Sequence, residues 1–229
     1  MDADIAVAAG LFADSTRAAV IAALLDGRAL TAGELARAAE VSAPTASSHL
    51  NRLRAAGFLT VSKQGRHRYY SLADERVGRA FEALAALAPS RPVRSLRQSR
   101  VAEHLRYART CYDHLAGASA VALTETLLHN GDLVAGEETY ELTDAGARRL
   151  TDFGLDLAAL ARARRSFAHP CLDWSERRHH IGGALGAALL SRMIELRWLR
   201  RDADSRAVRL EPPARKGFRD VLGCELPAA

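Results

Sequence analysis

A capped helix, a tight turn, a second capped helix and a short two-residue-period segment follow one another within residues 30–72, and few folds accept that order. Thr31 and Glu34 have the spacing of a capping box, in which the Thr hydroxyl caps the third helical amide and the Glu reaches back to the Thr amide. The helix they open carries Leu35, Ala38 and Ala39 on one side and ends near Glu40, leaving Val41 and Ser42 to turn. Ser42 caps the next helix, with Pro44 in its first turn, where a missing amide costs nothing. Ala46, Leu50 and Leu53 recur at helical spacing as a stripe to bury, and Gly57 ends the helix. The outer face is left with Thr45, Ser47, Ser48, Asn51 and Arg52. Such short hydrogen-bonding groups at one end of a helix suit the base edges and phosphates of a major groove.

After Gly57 the period changes. Phe58, Leu59 and Val61 predict one strand, Gln64-Gly65 a turn, and Tyr69, Tyr70 and Leu72 a returning strand, with Lys63, Arg66, His67 and Arg68 at the tip. Aromatics at the base anchor a hairpin while cations at its tip reach phosphates. A solvated charged turn is the alternative for an isolated hairpin, but behind a capped two-helix unit the pattern is that of a DNA-binding wing.

Phe12-Ala13-Asp14-Ser15-Thr16-Arg17, Glu34-Leu35-Ala36, residues 42–53, Ala56-Gly57-Phe58-Leu59 and Gly65-Arg66-His67-Arg68-Tyr69-Tyr70-Ser71-Leu72 together resemble the winged-helix domain of ArsR/SmtB-type bacterial repressors, over about residues 5–88. The resemblance implies a homodimeric cytoplasmic repressor that leaves a double-stranded DNA operator when a ligand, often a metal ion, binds. It also implies that helices 4–12 and 74–87 pair across the dimer. Two ligand sets of that family are incomplete here. The first helix of the helix-turn-helix has no Cys, and on the post-wing helix Asp74 is followed by Arg76 where a His is needed. Sensing therefore falls to residues 93–229.

With 229 residues the chain is long for one winged helix, which predicts two domains: residues 1–90 for DNA binding and dimerisation, and residues 91–229 for sensing, beginning with a long basic helix. The expected fold class is mainly α with small β-hairpin wings (α+β). The longest apolar run, residues 181–190, is too short to span a bilayer, so no membrane partner is expected. Three Cys without framework spacing point to reduced thiols and a cytoplasmic address. The net charge of +5 is concentrated in residues 88–109, where Arg91, Arg94, Arg97, Arg100, Arg106 and Arg109 face a single Glu103. These cations either follow DNA beside the operator or form a solvated helix face.

Helices are predicted over 4–12, 15–26 and 74–87, and a long one over 93–117, where Val101, Leu105, Ala108, Tyr112 and Leu115 keep a helical period. Beyond it a weak repeat reads helix, hairpin, helix twice, as a pair of degenerate winged-helix-like units. The candidate metal ligands are Cys111, His114, Cys171, His179 and His180, with His104 and His169 nearby. Cys111 and His114 at i, i+3 would share a helix face, and Zn(II) or another soft divalent metal accepts such Cys and His donors in tetrahedral geometry. Incidental buried Cys and capping His are the competing reading, and a small organic inducer or a constitutive architectural DNA-binding protein are alternatives to a metal- or thiol-responsive repressor. No nucleophile elbow, P-loop or dinucleotide fingerprint is present, so an enzyme is not expected.

Overall fold

The computed structural model describes residues 4–89, 96–202 and 205–228; the side chains of residues 96–98 lie outside the description, as do Arg91 and Arg94. The chain divides into two compact units, meeting between Leu84 and Ala85.

The first unit contains α1 (Ile5–Phe12), α2 (Ser15–Leu24), β1 (Leu30–Thr31), α3 (Ala32–Ala38), α4 (Ala43–Ala55), β2 (Leu59–Gln64), β3 (His67–Leu72) and most of α5 (Glu75–Leu87). Its helices start where short polar side chains satisfy the first free amides. Asp14 accepts from the Arg17 amide at 2.9 Å and Ser42 from the Thr45 amide at 3.4 Å. Thr31 and Glu34 form the reciprocal box, at 3.3 Å from the Glu34 amide to the Thr hydroxyl and 2.7 Å from the Thr31 amide to the Glu carboxylate. Gly57 takes φ +74° just past α4, the left-handed turn that closes a helix. Val20, Ile21 and Leu24 of α2, Leu35 of α3, and Ala46, Leu50 and Leu53 of α4 are buried. At about 1.5–3 kcal/mol for each buried Leu or Ile, this stripe fixes which face of α4 is left outward.

β1, β3 and β2 form one antiparallel sheet in that order. The hairpin turn is Gly65-Arg66, with Gln64 opposite His67, one residue later than the predicted Gln64-Gly65. Gly65 has φ +59°, and glycine at the first position is what a two-residue turn of this hand needs. The two-residue strand β1, pairing Leu30 with Tyr70, is too short to show an alternating pattern.

The second unit contains α6 (Leu96–Tyr107), β4 (Arg109–Cys111), β5 (His114–Ala116), α7 (Ala118–His129), β6 (Leu133–Ala135), β7 (Tyr140–Leu142), α8 (Asp144–Asp152), α9 (Leu157–Ala161), β8 (His169–Leu172), β9 (His179–Gly182), α10 (Gly183–Glu195), β10 (Leu199–Arg201), β11 (Val208–Leu210) and α11 (Ala214–Leu222). Consecutive strands pair as four antiparallel hairpins. The expected helix over 93–117 is corrected: within the described residues it ends at Tyr107 and a hairpin follows. Tyr112 has φ +58° and Gly117 φ +91°, neither of which a right-handed helix can contain. The Thr110 amide bonds instead to the Arg206 carbonyl at 2.8 Å. A Cβ on Gly117 would lie 2.6 Å from the Arg106 carbonyl oxygen, so the turn into α7 requires glycine.

The repeat is real in the fold but one hairpin longer than the helix–hairpin–helix expectation. Hairpin β4–β5, α7, hairpin β6–β7 and α8 recur as hairpin β8–β9, α10, hairpin β10–β11 and α11. Equivalent positions have matching backbones: Gly117 and Gly183 at +91° and +83°, Gly131 and Arg197 at +71° and +56°. Each leading hairpin also packs on the other repeat's helix, β5 on α10 and β9 on α7. Leu115, Leu123, Leu127, Ile181, Leu185, Leu189 and Met193 form one core with Phe153, Trp198 and Phe218. The repeats therefore share a core and fold as one body.

Candidate functional site

Every residue expected to face DNA is exposed: Thr45, Ser47, Ser48, Asn51 and Arg52 on α4, Lys63 on β2, Arg66 in the turn and Arg68 on β3. Thr45 is partly committed, its hydroxyl lying 2.8 Å from that of the capping Ser42. Lys63 and Arg68 are direct cross-strand partners, a like-charge juxtaposition that costs stability in the free protein. No carboxylate among the described residues pairs with Lys63, Arg66 or Arg68. His49, unremarked in the sequence, is half-buried on α4 with Nδ1 3.4 Å from Asp14, tying the start of α2 to the helix that carries the polar face. Asp74 and Arg76, where the resembled family places a carboxylate and an imidazole, satisfy one another at 3.0 Å.

Apolar surface is left uncovered on the two helices expected to pair across a dimer. Ile5 and Val7 of α1 are 75% and 64% exposed, and Leu84 and Leu87 of α5 are 45% and 84% exposed. No single described helix is long and apolar enough to cross a membrane, and the apolar pair α1 and α2 is bent by 81°.

In the second unit, Cys111, His114, Cys171 and His180 are all buried, and their ligand atoms lie within 4.8 Å of one another. The two thiol sulfurs are 3.8 Å apart. The i, i+3 argument fails because Cys111 and His114 face each other across hairpin β4–β5, as Cys171 and His180 do across β8–β9. Each hairpin thus supplies one Cys from its first strand and one His from its second, and the packing of the repeats brings the two pairs to one point. His179 is exposed on the opposite side of β9 and stands outside the group, as does exposed His104 on α6. His169 is buried against Gly182 and is no part of it. Cys224 lies in the apolar core, where burial pushes its thiol up.

The surroundings are duplicated too. His114 Nδ1 lies 3.4 Å from Asp113, and His180 Nδ1 lies 3.4 Å from Asp173. Arg165 pairs with Asp113, and Arg109 with Asp173 at 2.9 Å. Each Nδ1 is turned to a carboxylate and each Nε2 is left inside; both Nε2 atoms, and the His180 Nδ1 as well, are buried without a hydrogen bond. Two inward imidazole nitrogens beside two thiols, each imidazole backed by a carboxylate, are the donor types and outer neighbours that a four-coordinate soft metal ion accepts. The hydrogen bond between the thiols, together with burial, pushes Cys111 up to about 12. Burial opposes charge on Asp173, but His180, Arg109 and Ser175 outweigh it and hold the carboxyl well below the ordinary range.

Arg109 is the clearest departure from the charge reading. It is fully buried, bonding Asp173, the Leu105 carbonyl at 3.1 Å and Ser175 at 3.2 Å, with Trp174 stacked 4.8 Å from its guanidinium. It cannot lie along DNA. Arg100 and Arg106 are exposed on α6. Asp113 and Arg165 were missed as site residues and Arg109 was read only as a surface cation; Asp173 was read as a carboxylate of the 169–173 segment, and it stands behind His180 rather than among the ligands. Cys-x-Asp at 111–113 and 171–173 and His-x-x-Gly-Ala at 114–118 and 180–184 are legible once aligned.

Residues 12–62 match the family model described as a helix-turn-helix domain. The chain is 42% identical over 226 residues, 99% of its length and all of the relative's, to the uncharacterised HTH-type transcriptional regulator YdfF of Bacillus subtilis. It is 38% identical over 72 residues to the HTH-type transcriptional regulator CmtR of Mycobacterium bovis, spanning 31% of this chain and 60% of that protein. Among solved structures, reduced HlyU from Vibrio cholerae is 29% identical with a TM-score of 0.34, covering 38% of this chain and 90% of HlyU. The cadmium metal-sensor CMTR from Mycobacterium tuberculosis is 31% identical with a TM-score of 0.32, covering 40% of this chain and 99% of that one.

Proposed function

The chain belongs to the ArsR/SmtB family of winged helix-turn-helix transcriptional regulators, and from that premise we propose that it is a dimeric repressor whose C-terminal unit binds a soft divalent metal ion as inducer. Residues 1–90 bind double-stranded operator DNA in the cytoplasm: α4 enters the major groove with Ser47, Ser48, Asn51 and Arg52, and the wing places Lys63, Arg66 and Arg68 on phosphates. Two protomers pair through the exposed apolar faces of α1 and α5, which gives two half-sites about one DNA turn apart. Residues 91–229 sense.

The observation that carries the metal reading is the closure of Cys111, His114, Cys171 and His180 around two unpartnered Nε2 atoms. Buried polar atoms without partners are costly, and an ion that displaces the thiol protons satisfies both. A thiol-reactive inducer fits less well, because the thiols are buried and Cys111 is held protonated. An organic inducer between the repeats also fits less well. The cavity there, lined by Leu115, Leu123, Ile181, Leu189 and Met193, holds about 10 Å³, room for a single water rather than a ligand. Coupling runs along the chain, since β4 begins two residues after α6 ends and Arg109 bonds the Leu105 carbonyl on α6.

The test is metal stoichiometry of the reduced protein with Co(II) or Zn(II), alongside footprinting of the DNA upstream of its own coding region. One ion per chain and loss of the footprint on metal addition are expected, with Cys171→Ser binding the operator but ignoring metal. No metal uptake at micromolar concentration rules the inducer out, and binding without sequence preference points to an architectural protein.

A further inference from the structure

The two halves of the thiol–imidazole centre share their chemistry but not their burial. On the β8–β9 side the carboxylate is enclosed and fully bonded. Asp173 and Arg109 are both 0% exposed. Asp173 Oδ2 accepts from Arg109 at 2.9 Å and from the Gly117 amide at 2.7 Å, and its Oδ1 accepts from the Ser175 amide at 2.9 Å, the Ser175 hydroxyl at 2.7 Å and the Glu176 amide at 3.1 Å. Since Arg109 and Gly117 come from the first repeat and Asp173 from the second, this carboxylate also ties the repeats together. Removing a partner from such a buried charge is strongly destabilising, because the other charge is left uncompensated.

On the β4–β5 side the carboxylate sits in the hairpin turn. Asp113 is 29% exposed and its partner Arg165, on the segment between α9 and β8, is 28% exposed. The Arg165 guanidinium reaches both carboxylate oxygens, and His114 Nδ1 rests on Oδ1 at 3.4 Å. All four ligands are themselves buried, so an ion needs a way in, and here the outer shell meets water. A pair exposed to this degree is screened by salt and opens at little cost, unlike its buried counterpart.

Resting on the metal reading above, we infer that the ion enters and leaves past the Asp113–Arg165 pair, with His114 as the ligand that lets go, while Cys171, His180 and Asp173 stay fixed. Asp113 and Arg165 are positioning residues: the carboxylate holds the imidazole by Nδ1, and the guanidinium holds the carboxylate. When the pair parts, the His114 ring is free to swing with the turn, and the centre passes through a three-ligand state open to solvent.

The experiment uses the full chain loaded with Co(II), whose visible ligand-field absorption reports tetrahedral coordination, and follows loss of that band on mixing with excess chelator. Arg165→Ala is expected to release Co(II) at least about tenfold faster than the unaltered protein, within the range for loss of an outer-shell partner, with the same spectrum at equilibrium and the same metal-free operator affinity. Arg165→Lys, keeping the charge, recovers part of the slow release. Raising salt accelerates release from the unaltered protein and leaves Arg165→Ala unchanged. Asp113→Asn, which keeps the turn's shape, gives the same result if Arg165→Ala proves unstable. If the protein binds Co(II) with the tetrahedral band but both variants release it at the original, salt-dependent rate, the exchange route is wrong while the metal site stands. If the unaltered protein shows no such band, the metal reading falls and this inference with it.

Discussion

Replacing Arg68 with Ala tests the wing in two directions at once. Arg68 stands opposite Lys63 across the hairpin, and both are exposed without a carboxylate partner among the described residues. In the free protein this pair is repulsive, worth roughly 0.2–1 kcal/mol against the hairpin, a cost that a bound phosphate would offset. On B-DNA each neutralised phosphate contributes about 0.9 to the slope of log affinity against log salt. A two-fold dimer has two wings, so Arg68→Ala removes two contacts and lowers the slope by about 1.8. Over a fourfold rise in salt, from about 50 to 200 mM, the variant should then lose about twelvefold less affinity than the unaltered protein does. Fluorescence anisotropy with operator and scrambled duplexes of equal length measures both slopes, and both should fall alike because phosphate contacts carry no sequence information. Thermal unfolding of the free variant should rise slightly or stay level. An unchanged slope, or a fall confined to the operator, refutes the phosphate assignment; a marked loss of stability shows that Arg68 holds the wing together instead.

Ser48→Ala, on the outward face of α4, should reduce discrimination between operator and random DNA by about 1–3 kcal/mol if its hydroxyl reads a base edge, and an unchanged ratio of the two affinities moves the reading elsewhere. Hydrogen bonds from the Thr31 amide and hydroxyl hold the Glu34 carboxyl below its ordinary 4.5; a lowered carboxylate contributes stability above its unfolded value and loses it as pH falls through the folded one. The stability gap between the protein and Glu34→Ala, about 1 kcal/mol at neutral pH, should therefore close on acidification below about 4.5, as read by chemical denaturation. Sedimentation at micromolar concentration should show a dimer that Leu87→Glu, at an 84% exposed position, converts to monomer without unfolding it.

The first unit was legible because its signals are local. A capping box, a Pro in a first turn and a Gly at a helix end each act within four residues, and the structure keeps Thr31, Ser42, Pro44 and Gly57 in those roles. The wing turn slipped by one because the decisive fact, a positive φ at Gly65, belongs to the pairing of two strands. The long helix over 93–117 failed for a related reason. Leu105, Ala108, Tyr112 and Leu115 do recur at helical spacing, but a three-residue strand buried on all positions has no period to compete with it. The left-handed turn residue is Tyr112 rather than a glycine or asparagine, and what stabilises it, the register of β4 against β5 and the bond from Thr110 to the strand region near Arg206, lies up to about a hundred residues away.

Four of the five candidate ligands named from the chemistry of their donors, Cys111, His114, Cys171 and His180, come together in the structure although the local geometry argued for the first two is wrong, and the reason lies in the duplication. A helix with i, i+3 ligands and a two-residue hairpin with paired ligands both present Cys111 and His114 to one point, so the first inference did not depend on which was true. The choice between His179 and His180 did. On a strand, adjacent residues face opposite ways, and only the residue in register with Cys171 can point where Cys171 points; that register makes it His180 and sends His179 to solvent. The same pairing rule, applied to the aligned Cys-x-Asp and His-x-x-Gly-Ala segments, selects His180 from the sequence alone, since it is the residue three before Gly183 as His114 is three before Gly117. The spacing also brings Asp113 and Asp173 into view as the carboxylates behind the imidazoles. Four additional residues in the second hairpin's connection, 173–178 against 112–113, then account for the difference in burial between Asp173 and Asp113: the longer loop folds Ser175 and Glu176 over one carboxylate, while the two-residue turn leaves the other at the surface.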